Sequence, residues 1–393
     1  MEASVKFDQY SAYLRTLCRV IGFDVLSATW KMNYKSYFSL FLCAQYLWWM
    51  IHSTIATEGI NEMLKSLSFV GFYFQNTVKL YYTLSKTKTY QAIYNKLKLV
   101  IYDGHMGGTG DQKAVILRMI TLIHNLVKAT SVLYYSAIML FSLYPAYMYF
   151  WMDEKVTIFP LHIPFVSIYS LYGYAFTNMI HIVVAFYGLT GAITSDTAFM
   201  MFVLHMVTYV DLFRIECERF ERDLMASELR EEWRSDAYKA FCQRRMQTVY
   251  SYHQDIIAYM DSLKLCYKEI CLVQVATSSF SIMLSLFLAL TTDWYATYSF
   301  TLISVFQLFI FSVLGNVVQV MNDRMNGVIL DLPWYMLPDG EQKWFRFMLS
   351  RSQIPADIEI RGFGPLNMRT FTAIMQKIYS CFMMMLNFLG EEN

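Results

Sequence analysis

The sequence predicts an all-α membrane protein with seven transmembrane helices, its N-terminus in the cytoplasm and its C-terminus outside. Three observations support this fold class. Only 16% of the 393 residues are charged and 56% are hydrophobic, whereas soluble domains carry about 25% charged residues. The apolar residues gather in runs of about 18 or more, which are long enough to cross a bilayer. Lys and Arg concentrate in alternate connecting segments, and this bias marks the cytoplasmic face.

The transmembrane spans are predicted from seven apolar runs, at 36–54, 63–84, 129–150, 168–209, 271–291, 298–321 and 366–389. The fourth run is about twice the roughly 20 residues that one crossing requires. Two passes are the alternative, but no charged loop divides the run, and Asp196, His205 and Asp211 fall in its second half. We therefore expect one helix that continues into the cytoplasm.

The orientation follows from the basic residues. The N-terminal arm and the segments after spans two, four and six hold about 26 Lys and Arg, whereas the other connections hold only Lys155. The chain then divides into a cytoplasmic arm (1–35), spans one to six (36–322), a cytoplasmic anchor segment (323–365) and the last helix with a short extracellular tail (366–393). Receptors coupled to G proteins have the opposite orientation, so we expect that no G protein is required.

Several classes of function are disfavoured by the sequence. The net charge of +1 gives no reason to expect nucleic acid as a partner. The sequence contains no glycine-rich phosphate loop, His-Glu-x-x-His motif or paired metal-ligand spacing, so we expect no enzyme, no metal and no cofactor. A multi-pass transporter remains an alternative because polar residues in mid-span would serve it too, although no internal repeat supports it.

Motifs in the C-terminal half carry a family resemblance. In chain order they are Tyr252-His253-Gln254-Asp255-Ile256, Gly315-Asn316, Trp334-Tyr335, Arg351-Ser352-Gln353-Ile354-Pro355, Gly362-Phe363, Pro365-Leu366, Thr370-Phe371 and Tyr379-Ser380. In order and spacing this set resembles the insect odorant receptor family. The N-terminal half resembles that family only in length, topology and hydrophobic pattern.

Two related classes differ from this chain in particular segments. Gustatory receptors carry Thr-Tyr, five residues and then Gln-Phe in the last helix, whereas here Thr370-Phe371 is followed by Gln376-Lys377. The co-receptor of the odorant family has an extra insert before span five, which the segment 211–270 is too compact to hold. The chain therefore most resembles a variable, odorant-tuned subunit, with a gustatory-type channel as the alternative.

The resemblance implies a function and a set of partners. Such a subunit binds a small volatile odorant and opens a non-selective cation channel. It does so in a heterotetramer with co-receptor subunits. The implied location is the plasma membrane of a sensory-neuron dendrite, with membrane lipid around the helices.

The resemblance also places the odorant pocket among the outer halves of spans two to six. The candidates are side chains that share helical faces in these spans: Phe69, Phe72, Tyr73, Tyr134, Ala137, Ile138, Phe141, Tyr174, Asn178 and His181. A mostly apolar and aromatic pocket with a few polar groups suits a small, neutral, aromatic ligand. Ordinary helix packing is the alternative explanation for these residues, and for His181 a hydrogen-bonded structural role is favoured over proton sensing.

The last helix is implied by the resemblance to line the pore. Gln376, Ser380, Met383 and Asn387 share one helical face. Because polar groups are costly in lipid, we expect this face to meet protein or water, and its methionine fits a hydrophobic constriction that closes by dewetting. Met384 corresponds best to the gate position of the family, whereas periodicity favours Met383. The alternative is that the polar groups only form hydrogen bonds between helices.

Overall fold

The architecture is almost entirely helical. The computed structural model describes residues 2–56, 59–105, 107–226, 235–360 and 364–391. Within these residues ten α-helices follow in chain order: α1 (Glu2–Ile21), α2 (Tyr34–Ala56), α3 (Ile60–Ser85), α4 (Thr87–Leu97), α5 (Gly110–Trp151), α6 (Leu171–Ala226), α7 (Asp236–Thr291), α8 (Ala296–Leu330), α9 (Asp339–Ser352) and α10 (Met368–Glu391). Two short strands, β1 (Glu359–Ile360) and β2 (Gly364–Pro365), pair antiparallel before α10. The predicted all-α class is confirmed.

The seven predicted spans correspond to α2, α3, α5, α6, α7, α8 and α10. The expectation of one helix for the fourth run is confirmed, because α6 is continuous over 56 residues. At 1.5 Å per residue it is about 84 Å long, far beyond the roughly 30 Å of a hydrocarbon core. Helices α5 and α7 also begin well before the predicted spans, at Gly110 and Asp236. The apolar runs therefore marked only part of each long helix.

Hydropathy alone identifies fewer spans than helix length does. Among the described residues, α5, α6, α7 and α8 each contain an 18-residue stretch apolar enough to cross a membrane. Helices α2, α3 and α10 have spanning lengths of 23, 26 and 24 residues but a more mixed composition. In α3, for example, Glu62, Lys65 and Lys79 interrupt the apolar residues.

Helix α6 is the central element of the bundle. It packs against α1, α2, α3, α5, α7 and α8, and 78% of its most apolar window is buried inside the chain. The corresponding fraction for α5 is 28%, so α5 lies at the periphery with most of that surface left for lipid. The apolar surface of α6 is thus mostly used for packing within the protein.

The two ends of the bundle are built from different elements, and we call them the anchor end and the loop end. The anchor end is formed by α1, α4 and α9; the loop end is formed by the connections 152–170 and 292–295. At the anchor end the chain builds one large apolar core from the second half of α6, the first half of α7 and the helices around them. A smaller cluster lies at the loop end, where it includes Tyr46, Phe69 and Trp294.

Several residues of the family motifs have a packing role at or near the anchor end. A Cβ at Gly315 would overlap the carbonyl oxygen of Leu366, so glycine permits α8 to approach the segment that leads into α10. Arg351 lies 3.3 Å from the carboxylate of Asp261, which joins α9 to α7. The Trp334 ring stacks on Phe345. The motif residues Gly362 and Phe363 lie outside the described residues.

Candidate ligand-binding cavity and exposed last helix

A cavity of about 240 Å³ lies among α2, α3, α5, α6 and α8, and it extends from the loop end toward α1. Its wall is mostly apolar. Six of the ten candidate odorant contacts line it: Phe69, Phe72, Tyr73, Ala137, Ile138 and Phe141. Three separate helices contribute further apolar groups, including Tyr46 on α2, Val184 on α6 and Ile303 on α8. The structure therefore brings side chains of distant sequence segments around one space of ligand size.

Aromatic rings line the cavity toward the loop end. Phe159, from the 152–170 connection, has its ring centroid 5.0 Å from that of Phe69 and 6.0 Å from that of Tyr46. Phe69 also contacts Phe300 at 5.3 Å, and Tyr46 stacks on Tyr73 at 5.7 Å. These offset and edge-to-face pairs fix the ring positions, so the 152–170 connection forms part of the cavity wall.

Polar groups of α6 hold that connection in place. The backbone N–H of Ile158 donates to Asn178 Oδ1 at 3.0 Å, and the N–H of Phe159 donates to His181 Nδ1 at 3.4 Å. The Tyr174 hydroxyl donates to the Pro145 carbonyl at 3.1 Å. These α6 side chains, all candidate odorant contacts, do not line the cavity here; instead they bind backbone groups around it. Their direct contact with a ligand stays a prediction.

The same connection is also tied to the two helices across the cavity. Ser66 of α3 donates its hydroxyl proton to the Pro160 carbonyl at 2.8 Å. The N–H of His162 donates to Ser53 Oγ of α2 at 2.7 Å. With α6 on the other side, three helices thus anchor the backbone at 158–162. This segment was not among the sequence-predicted site residues, because its short apolar stretch carries no periodic signal.

A buried ion pair lies deeper in the bundle. Lys79 Nζ of α3 is 2.6 Å from Asp196 Oδ1 of α6, and both side chains are only 3% exposed. Tyr134, the remaining candidate odorant contact, donates its hydroxyl proton to Asp196 Oδ2 at 2.7 Å. Tyr134 and Asp196 do not line the cavity, whereas Lys79 does. This triad joins α3, α5 and α6 at the anchor side of the cavity.

A layer of amides lies beside the ion pair. Gln75 Nε2 of α3 and Gln274 Nε2 of α7 both donate to Gln307 Oε1 of α8, each at 3.3 Å. All three side chains are buried. Gln75 and Gln307 line the cavity. These glutamines were not among the sequence-predicted site residues, because isolated polar residues in apolar runs show no common periodicity.

The candidate pore residues lie on an exposed face of α10. Gln376, Ser380, Met383, Met384 and Asn387 are all exposed in the single chain. The opposite face, with Ile374 and Ile378, is buried against the rest of the bundle. Among the described residues α10 packs mainly against α7 and α8. The predicted polar face therefore points away from the chain that carries it.

Comparisons with known proteins agree with one another. The sequence profile of the family described as 7tm odorant receptor matches residues 59–379. The putative odorant receptor 83c of Drosophila melanogaster is 25% identical over 394 residues, which covers 98% of each chain. The insect olfactory receptor OR5 from Machilis hrabei has the same fold, with a TM-score of 0.79, 12% identity and coverage of 98% of this chain and 99% of that one. Its complex with eugenol matches with a TM-score of 0.80 and 13% identity over the same coverage.

Proposed function

This chain belongs to the 7tm odorant receptor family, and from this premise we propose that it is the odorant-binding subunit of a ligand-gated, non-selective cation channel. Family membership makes it an olfactory receptor and not an enzyme, as the sequence predicted. We propose further that odorant receptor co-receptor subunits complete a heterotetramer with it. The plasma membrane is the proposed location.

The cavity is the observation that supports odorant binding most directly. Its wall combines aromatic and aliphatic groups from α2, α3, α5, α6 and α8 with a smaller polar area. That composition suits a small, neutral molecule with aromatic character. The OR5 relative has been solved in complex with eugenol, and we propose a small organic ligand for this chain as well.

The exposed face of α10 supports the channel part of the proposal. A transmembrane helix with Gln376, Ser380 and Asn387 turned outward is costly in lipid. Neighbouring subunits around a water-filled pore would remove that cost. Met383 and Met384 on the same side of α10 supply the hydrophobic groups for a gate.

Co-expression with an odorant receptor co-receptor tests the function. We expect currents evoked by small odorants, and no odorant-evoked current from the co-receptor alone. In Phe72→Ala and Tyr73→Ala the rank order of odorants should change, because both side chains line the cavity. Phe74→Ala is the matched control, since Phe74 lies on the same helix but is 52% exposed and is not part of the wall. Saturable substrate flux without the co-receptor, and no current with it, would favour a transporter instead.

Position 384 tests the proposed gate. Met384→Ser should ease wetting of the constriction and raise the basal current of the co-expressed channel. The increase should be modest, because the co-receptor subunits contribute their own gate residues. Met385→Ser is the control, since Met385 is partly buried on the face that continues from Ile374 and Ile378. Unchanged basal current and cation permeability in both Met383→Ser and Met384→Ser would remove α10 from the pore.

The proposed orientation has a direct test. With the N-terminus in the cytoplasm and the C-terminus outside, a C-terminal tag should stain on intact cells. An N-terminal tag should stain only after permeabilisation, because the basic segments stay on the cytoplasmic side. The reverse pattern would contradict both the orientation and the assignment of 323–365 as a cytoplasmic anchor.

A further inference from the structure

We propose that the segment 163–172 at the loop end lies in the lipid of the adjacent bilayer leaflet, at the boundary of headgroups and acyl chains, with the Phe165 ring inserted among the acyl chains. The partner of this surface is therefore the membrane itself. The inference rests on the exposure and composition of the segment and does not depend on which ligand the cavity binds.

An apolar patch surrounds the end of α5 and the start of α6. More than half of each side chain in this loop-end patch is exposed: Phe150, Trp151, Phe165, Tyr169, Leu171 and Tyr172. The two helix ends are adjacent, because the Tyr149 ring stacks on Tyr174 at 5.5 Å and Lys155 Nζ donates to the Tyr169 carbonyl. Single exposed apolar residues are common on soluble proteins, but a contiguous patch marks a contact with protein or membrane.

Phe165 is the most exposed residue of the patch and lies in a tight turn. The N–H of Val166 donates to the Ile163 carbonyl at 3.2 Å, with Pro164 in the second position of the turn. Phe165, in the third position, has a φ of 66°, a backbone conformation that turns usually give to glycine or asparagine because it strains a bulky side chain. A turn in water would gain nothing from an aromatic ring there. The ring is favourable only where it meets an apolar environment.

The segment also lacks the charges of a loop that faces water. Asp153, Glu154 and Lys155 follow α5 and are exposed, so they mark the level at which the chain meets water. After them, no Asp, Glu, Lys or Arg occurs before Asp196. Surface loops are normally rich in polar and turn-forming residues. The composition of 156–172 instead continues the apolar sequence of α6.

Two observations favour lipid over a second protein as the partner of the loop-end patch. The patch continues the lipid-facing side of the peripheral helix α5, where exposed residues follow one another at intervals of three or four: Leu140, Leu143, Tyr147 and Phe150. Half of the patch consists of Trp151, Tyr169 and Tyr172, and Trp and Tyr are enriched where a membrane meets water. The patch therefore has the position and the composition of an aromatic belt.

The inner side of the same connection is fixed to the protein. Ile158 and Phe159 line the cavity, and side chains of α2, α3 and α6 bind the backbone at 158–162. Such bonds satisfy backbone groups that would be costly near hydrocarbon. The connection is then a wall with the ligand cavity on one side and lipid on the other.

A nitroxide spin label at position 165 tests this location. Phe165→Cys is labelled in the full-length chain, co-expressed with the co-receptor and reconstituted in phosphatidylcholine vesicles. Glu154→Cys is the matched control, because Glu154 is an exposed polar residue of the same connection. Wild-type protein carried through the same labelling provides the background from the native cysteines. Collisions of the label with molecular oxygen, which concentrates in hydrocarbon, and with a water-soluble nickel chelate are then measured by power saturation.

We expect the ratio of oxygen to nickel accessibility to be several-fold higher at position 165 than at position 154. Equal ratios at the two positions would place Phe165 in water and overturn the proposal. Low accessibility to both reagents at position 165 would also overturn it, because another protein surface would then cover the patch.

Photo-crosslinking of the wild-type protein avoids any dependence on the folding of a variant. The probe is phosphatidylcholine with a diazirine on one acyl chain close to the headgroup, and the adducts are mapped by mass spectrometry of peptides. We expect adducts within 163–172 as well as on the exposed face of α5, which serves as the internal control. Adducts on α5 with none in 163–172 would contradict the lipid contact.

Discussion

The anchor end and the loop end of this bundle use aromatic side chains in opposite ways. At the anchor end the rings fill space: Phe199 is fully buried, with its centroid 4.4 Å from Tyr267 and 4.9 Å from Phe311. At the loop end Phe72 and Tyr73 are only partly buried, because one side of each ring borders the cavity. Close packing stabilises the first region, and unfilled space in the second is what a ligand can occupy.

This difference separates stability from selectivity along the same helices. Helix α6 provides Phe199 and Phe213 to the core and Val184 and Gly188 to the cavity wall. Substitutions at the anchor end should therefore act through folding, whereas those at the loop end should act through ligand choice. Lys79 and Asp196 lie at the junction of the two regions.

The largest effect is expected at that junction. Lys79→Met leaves the Asp196 carboxylate buried with only the Tyr134 hydroxyl as partner. Breaking a buried pair in this way costs about 3–5 kcal/mol of folding stability. The combined variant Lys79→Met with Asp196→Asn should recover part of the loss, since no unpaired charge remains. Thermal unfolding of the detergent-purified protein measures the stability of both variants. If Lys79→Met alone were as stable as wild type, the ion pair would contribute little to stability.

A pair of phenylalanine truncations compares the two ends directly. Phe199→Ala removes a fully buried ring from the core and should cost about 3–5 kcal/mol. Phe72→Ala should cost less than half as much, because its ring already borders open space and makes fewer contacts. Unfolding curves and surface expression of both variants provide the measurement. Equal losses would show that the loop end is as tightly packed as the core and that our distinction is wrong.

The sequence predicted the fold better than the site, and particular residues show why. Apolar runs identify segments that enter a bilayer, but the start of α7 at Asp236 lies 35 residues before the predicted span, since its amphipathic half is buried by protein and not by lipid. Lys79 and Asp196 each lie within an apolar run, and a charged residue in such a run is expected to form an ion pair. That these two residues pair with each other depends on the packing of α3 against α6. Gln307 had no such signal, because its hydrogen-bond partners lie on two other helices.

A pH-dependent loss of stability is expected from His253 in the anchor-end core. Its ring is fully buried without a hydrogen-bond partner among the described residues, and burial, with Arg351 nearby, lowers its pKa from 6.5 to about 4. Below pH 6.5 the unfolded chain binds a proton that the folded chain does not bind until about pH 4. The folding stability therefore decreases as the pH is lowered through this window, by up to about 1 kcal/mol per pH unit.

The comparison variant for this prediction is His253→Leu. It removes the titrating group without breaking a hydrogen bond of the ring. The difference in unfolding temperature between wild type and variant, followed from pH 7 to pH 5, isolates the histidine from other titrating groups. We expect wild type to lose more stability than the variant as the pH falls. Parallel curves would show that the ring is accessible to water in the folded protein.

The smallest expected effect on folding is at Gly191, where the cavity wall can be changed by one methyl group. A Cβ at Gly191 would meet nothing within 4 Å, and the residue lines the cavity. Gly191→Ala should therefore be tolerated, with a gain of up to about 1 kcal/mol from the better helix propensity of alanine. The methyl group would occupy ligand space, so the largest active odorants should lose potency by roughly three- to tenfold while the smallest keep theirs.

Gly327→Ala is the matched control: its Cβ would also meet nothing within 4 Å, but Gly327 lies outside the cavity wall near the end of α8. It should reproduce the stability gain and leave the odorant order unchanged. If both variants shifted the odorant order equally, helix stiffness and not cavity volume would set ligand choice.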